Sequence, residues 1–110
     1  MDLNLRGKTA IVTGGGSGLG ASISEILAQE GANVVVNYLT DAAQKENFAE
    51  SLNQQYGVNC TAIHGDISKV ADIESVIFQT ITRYGRIDIL VNNAGIWPKH
   101  PILEMPDEAW

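Results

Sequence analysis

Cysteine occurs once, at Cys60, so no disulfide can form within the chain and no multi-cysteine metal site can be built. Its expected role is that of a small buried hydrophobe. Basic residues are scarce and scattered: 7 Lys and Arg stand against 13 Asp and Glu, a formal net charge of −6. That argues against nucleic acid or an anionic membrane as partner, since both demand a basic surface. The two histidines, His64 and His100, are isolated from each other. His64, at the end of a buried strand, is expected to be a satisfied structural histidine rather than an acid or base. No apolar run approaches the ~20 residues of a membrane span, and Met1 to Arg6 lacks the charged-then-apolar design of a secretory leader. A cytoplasmic location is the resulting expectation.

What the chain does have is glycine, concentrated in Thr13-Gly14-Gly15-Gly16-Ser17-Gly18-Leu19-Gly20. The stretch lies between an apolar run and a periodic segment, where a strand turns into a helix. Glycine accepts positive φ cheaply and, lacking Cβ, lets a ligand touch the backbone. The unpaired N–H groups and positive dipole end of a helix start favour an anion there. Gly14 is expected to turn the chain off the strand, Gly18 to let a pyrophosphate approach, and Gly20 to let the helix pack on the sheet. A P-loop needs lysine where Ala21 stands, and a nucleophile elbow needs glycine where Leu19 stands. A flexible turn without a ligand is the remaining alternative.

With 110 residues, 45% of them hydrophobic and 18% charged, the chain suits one ordinary globular unit with a single core. Lys8 to Thr13 predicts a strand covered on both faces, as in a parallel sheet. Leu19, Ile23, Ile26 and Leu27 predict a helix with one apolar stripe, closed by Gly31. Val34-Val35-Val36 predicts the second strand. Thr40 or Asp41 is expected to cap the next helix, which carries Phe48, Leu52 and Tyr56 and stops at Gly57. Val58 to Gly65 predicts the third strand. After Asp66-Ile67-Ser68 comes a helix with Ile73, Val76, Ile77 and Ile81 on one face, ended by Gly85. Ile87 to Val91 predicts the fourth strand. Beyond Gly95, Trp97, Pro98, Pro101 and Pro106 predict an irregular stretch, and Pro106 to Trp110 the first turn of a further helix. The expected fold is α/β, a partial Rossmann-type doubly wound parallel sheet in the order β-α-β-α-β-α-β. Ligands in such sheets bind at the carboxyl ends of the strands.

These motifs resemble the short-chain dehydrogenase/reductase family over nearly the whole chain. Thr13-Gly14-x-x-x-Gly18-x-Gly20 is similar to its cofactor loop, Asp66 to the acid after its third strand, and Asn92-Asn93-Ala94-Gly95 to its N-N-A-G motif. The chain looks most like the branch containing 3-oxoacyl-carrier-protein reductases and glucose 1-dehydrogenases. The resemblance implies that Gly14, Ser17, Gly18, Leu19 and Gly20 meet the cofactor phosphates. It implies that Asn37, Tyr38 and Leu39 lie near the adenosine ribose, and Asp66 and Ile67 beside the adenine. Asn92 and Asn93 would tie the fourth strand to its neighbours and meet the ribose, while Ala94 and Gly95 leave room. Taken by themselves, Asp66 reads equally well as a helix cap and the two asparagines as an Asx turn. Thr13 and Ser17 could offer hydroxyls to the loop.

NAD enzymes place a carboxylate about 20 residues after the glycine loop, and none stands here before Asp41. The family's usual arginine or lysine is also missing, with Ser17 and Leu39 at those positions. Asn37 and Thr40 could hydrogen-bond a 2′-phosphate instead, so the expected cofactor is NADP, with NAD possible.

The family's catalytic pair reads Tyr-x-x-x-Lys, and Tyr38, Tyr56 and Tyr84 are followed at that offset by Ala42, Cys60 and Asp88. No residue is therefore nominated as catalytic. The chain is expected to be the amino-terminal portion of an oxidoreductase acting on a small carbonyl or alcohol substrate, whose full-length parent forms a homo-oligomer. As an isolated piece it is expected to be unstable and inactive, with the apolar fourth strand as an open edge. A non-catalytic nucleotide-binding or interaction module is the alternative.

Overall fold

Ala10, Val12, Val34, Val35 and Val36 are wholly enclosed, which only strands covered on both faces allow. They belong to the computed structural model of the chain, which describes residues 4–93. The elements run β1 (Thr9–Thr13), α1 (Gly18–Gln29), β2 (Asn33–Tyr38), α2 (Ala42–Tyr56), β3 (Thr61–His64), α3 (Val70–Tyr84) and β4 (Ile89–Asn92). All pairings are parallel, and the sheet order is β3-β2-β1-β4. The expected α/β doubly wound sheet is therefore present. The expectations for Ala94, Gly95, His100, the proline-marked stretch and the turn at Pro106 to Trp110 lie outside the described residues.

The side-chain alternation of the strands divides the core. Val12, Val34 and Val36 face one side with Ala28 of α1 and Ala49 and Leu52 of α2. Ile11, Val35 and Ile63 face the other with Val76 of α3. The change of face happens where the chain leaves edge strand β3 and returns beside β1. The reversal of strand order thus falls between β1 and β4, the position at which such sheets open a crevice.

Two helices turn a different face inward from the one expected. In α1 the buried residues are Gly20, Ser24 and Ala28, while Leu19 is 68% and Ile26 53% exposed. Small residues spaced by four let the helix axis approach the sheet, and Ile23 and Leu27 fill the flanks of that contact. In α3, Val76 and Thr80 are buried, whereas Ile73, Ile77 and Ile81 are partly exposed. The isoleucine stripe lies about 100° around the helix from the Val76 line.

Helix ends follow the glycines. The Gly31 N–H donates to the Ala28 carbonyl and the Ala32 N–H to the Leu27 carbonyl, the paired bonds of a Schellman closure, with Gly31 at φ +102°. Gly57 and Gly85 close α2 and α3 in the left-handed region. The expected side-chain cap of α2 is not formed: Asp41 occupies the N-cap position at φ 65° and makes no capping bond. An N-cap normally has extended backbone, and the left-handed conformation turns the carboxylate away from the helix N–H groups. His64 is exposed at the end of edge strand β3, where it pairs in register with Tyr38.

Candidate functional site

The glycine loop is shaped by its neighbours at the carboxyl rim. Gly14 leaves β1 at φ +62°, and the Gly15 N–H donates to the Asn37 carbonyl at the end of β2 (3.1 Å). A Cβ at Gly15 would stand 2.7 Å from the Val12 carbonyl oxygen. Ser24 Oγ, wholly buried, donates to the Gly15 carbonyl at 2.9 Å and holds the loop down on α1. Gly18 has φ +56° with nothing within 4 Å of where a Cβ would be. Its outer face is open, and the N–H groups of the first turn of α1 lack helical acceptors. Ser17, at the N-cap position, is extended and makes no side-chain capping bond, and Leu19 lies outward.

At Gly20 the tight neighbour is not the sheet. A Cβ there would overlap the Gly14 carbonyl and approach Asn93 Nδ2 to 2.6 Å. Gly20 is thus the floor on which the loop and the end of β4 meet. Asn93 Nδ2 donates to the Gly14 carbonyl at 3.4 Å. Thr13 Oγ1 donates to Asn92 Oδ1 (3.1 Å) and accepts the Asn93 N–H (2.8 Å). The Thr13 hydroxyl, expected to serve the loop, is engaged between strands instead, because β4 pairs directly with β1.

The end of β2 corrects a second expectation. Asn37 is 2% exposed, and its Nδ2 donates to the carbonyls of Ile63 (3.3 Å) and Gly65 (3.2 Å). Both of its amide protons are spent on β3 and the turn after it, so this side chain is not available to a phosphate. Tyr38 is buried, its ring edge-on to His64 at 5.6 Å, and its carbonyl accepts the Gly65 N–H. Leu39 and Thr40 are exposed beyond it.

Asp66 sits at the next strand end in an Asx turn: Oδ1 accepts the Ser68 N–H (3.0 Å) and hydroxyl (2.7 Å). The Ser68 hydroxyl first, and its N–H second, hold the Asp66 carboxyl below the usual carboxylate range. The N-cap position of α3 belongs to Lys69, so Asp66 is fixed as an ionised acceptor ahead of the helix. Ile67 follows it, half-buried. Asp72 Oδ2 accepts the Asp66 N–H at 2.8 Å and holds this turn from α3.

One residue at the rim was missed from the sequence. Lys45 of α2 is 7% exposed, and its stem lies against Gly16 in the space a Cβ would take. The signal was a stripe shared with Ala49 and Leu52, both buried on the same helix.

The chain matches the family model described as short chain dehydrogenase over residues 8–110, and it belongs to that family. Within it, the chain is 38% identical over 108 residues to the 3-oxoacyl-(acyl-carrier-protein) reductase of Escherichia coli, covering 98% of this chain and 42% of that protein. It is 35% identical over 106 residues to an uncharacterized oxidoreductase of Thermotoga maritima, covering 96% and 41%. Among solved structures, L-sorbose reductase from Gluconobacter frateurii, complexed with NADPH and L-sorbose, superposes with a TM-score of 0.81 at 34% identity, covering 100% of this chain and 41% of that one. The chain therefore spans about two-fifths of the length of these relatives. No helix among the described residues is long and apolar enough to cross a membrane.

Proposed function

We propose that residues 1–110 are the amino-terminal dinucleotide-binding portion of a single-domain NAD(P)-dependent oxidoreductase, with NADP as the preferred cofactor. The observation that carries this reading is the open face of Gly18 at positive φ, at the start of α1 and beside the β1–β4 switch point. Bare amides at a helix start suit a pyrophosphate, and a side chain at Gly18 would stand in its way. The ionised Asp66 carboxylate suits an adenine amino group, and the Thr13–Asn92–Asn93 cluster suits a ribose next to β4. When bound, a nicotinamide cofactor supplies or accepts hydride. The residues of this chain would hold and orient it, and none is assigned a proton-transfer step.

The family and its named reductases support a parent reaction between a small carbonyl or alcohol substrate and the cofactor. A homo-oligomeric parent in the cytoplasm belongs to the same reading. Titration of NADPH and NADH into wild-type and Gly18→Val chains tests it. Wild-type binding that weakens at least about tenfold in the variant, a loss of ~1.4 kcal/mol, is expected. Equal affinity in both would refute the cradle.

A further inference from the structure

We propose that Lys45 supplies the positive charge that receives the 2′-phosphate of NADP, a task that no residue of the glycine loop or of the end of β2 can perform. This inference rests on the dinucleotide reading of the cleft and assigns its cofactor specificity. Ser17, Leu39 and Thr40 carry no charge, and the Asn37 side chain is spent on β3. Lys45 is brought in from a different element.

Lysine is almost never fully enclosed unless paired, yet Lys45 is 7% exposed. Among the described residues its Nζ has one hydrogen-bond acceptor, the neutral Gln44 Oε1 at 3.3 Å. None of their carboxylates lies within ion-pair distance of it. Among the described residues this ammonium is thus without an acidic partner. A charge so withdrawn from water is stabilised by an anion.

The packing sets the lysine stem beside the glycine loop. A Cβ on Gly16 would collide with Lys45 Cδ and stand 2.9 Å from Cε. The lysine stem therefore depends on glycine at that position, and the two form a matched pair between the loop and α2. Gly15, next to the pair, donates its N–H to the Asn37 carbonyl at the end of β2, where this class of sheet holds the adenosine ribose. Asp41, the nearest acid in sequence to that strand end, is exposed and in the left-handed region.

The test is titration of NADPH and NADH into the full chain as wild type, Lys45→Met and Lys45→Arg, with 2′,5′-ADP and 5′-AMP as fragment probes. Methionine keeps an unbranched stem over Gly16 and removes the charge. Loss of one charge-assisted contact predicts NADPH and 2′,5′-ADP affinities lower by about tenfold or more. NADH and 5′-AMP should stay within about twofold, and arginine should restore NADPH. Wild-type NADPH affinity should also fall more steeply with salt than that of Lys45→Met. Equal weakening of NADPH and NADH, or no change in either, overturns the role of Lys45 while leaving the cleft assignment standing. A wild-type chain that binds neither dinucleotide overturns both.

Discussion

Thr13 and Asn93, separated by 80 positions in sequence, are joined at the carboxyl rim by the Asn93 N–H donating to Thr13 Oγ1 at 2.8 Å. The same hydroxyl donates to Asn92 Oδ1, so one threonine serves both asparagines. It fixes the end of β4 against β1 at the point where the crevice opens.

Thr13→Val should therefore cost about 1–3 kcal/mol, because the Asn93 N–H loses its partner in a half-buried place. Thr13→Ser keeps the hydroxyl and should cost less. Urea unfolding of the variants measures both, and a valine variant as stable as wild type would show that the hydroxyl does not hold the strand.

Gly20 and Gly18 should respond differently to alanine. At Gly20 the new methyl overlaps the Gly14 carbonyl, so the loop must move, and unfolding should be eased by about 2 kcal/mol or more. At Gly18 there is space, and only the left-handed backbone is strained, at about 1–2 kcal/mol. Thermal denaturation of the two variants without cofactor should show the larger loss at Gly20.

Asn37→Ala should destabilise by about 1–3 kcal/mol, since the carbonyls of Ile63 and Gly65 lose their donor. Because this side chain is turned away from the cleft, the NADPH:NADH affinity ratio should stay unchanged in whatever fraction is folded. A changed ratio would return Asn37 to the cofactor site.

Acid should loosen the sheet at its amino edge. Asp88 receives Arg86 Nη2 at 2.7 Å and Nε at 2.8 Å, and also the Thr9 N–H at 2.9 Å. The Arg86 guanidinium first, and the Thr9 N–H next, hold its carboxyl below the ordinary value. A carboxyl depressed in the folded state contributes stability that is complete above the unfolded value of about 3.9. That contribution is lost as pH falls through the folded value. Asp66 has the same sign. Unfolding midpoints measured from neutral pH down to below 4 should drop more gently in Asp88→Asn than in wild type.

The sequence alone determined the succession of elements, because each signal is local. A β-branched run such as Val34-Val35-Val36 favours extended backbone whatever lies around it, and Gly31, Gly57 and Gly85 end helices through their own φ. The glycine loop was legible for the same reason, as were Asp66 and the Asn92-Asn93 pair as residues at strand ends. Tertiary structure decided what those residues touch. Packing against the glycine loop and the sheet chose Gly20, Ser24 and Ala28 as the inner face of α1 over its larger side chains. Pairing of β2 with β3 consumed the Asn37 amide, and pairing of β1 with β4 consumed the Thr13 hydroxyl. Lys45, on the buried face of α2 with Ala49 and Leu52, lies against Gly16. Contacts between residues distant in the chain depend on strand order and helix rotation, and a periodic pattern read along one segment leaves both open.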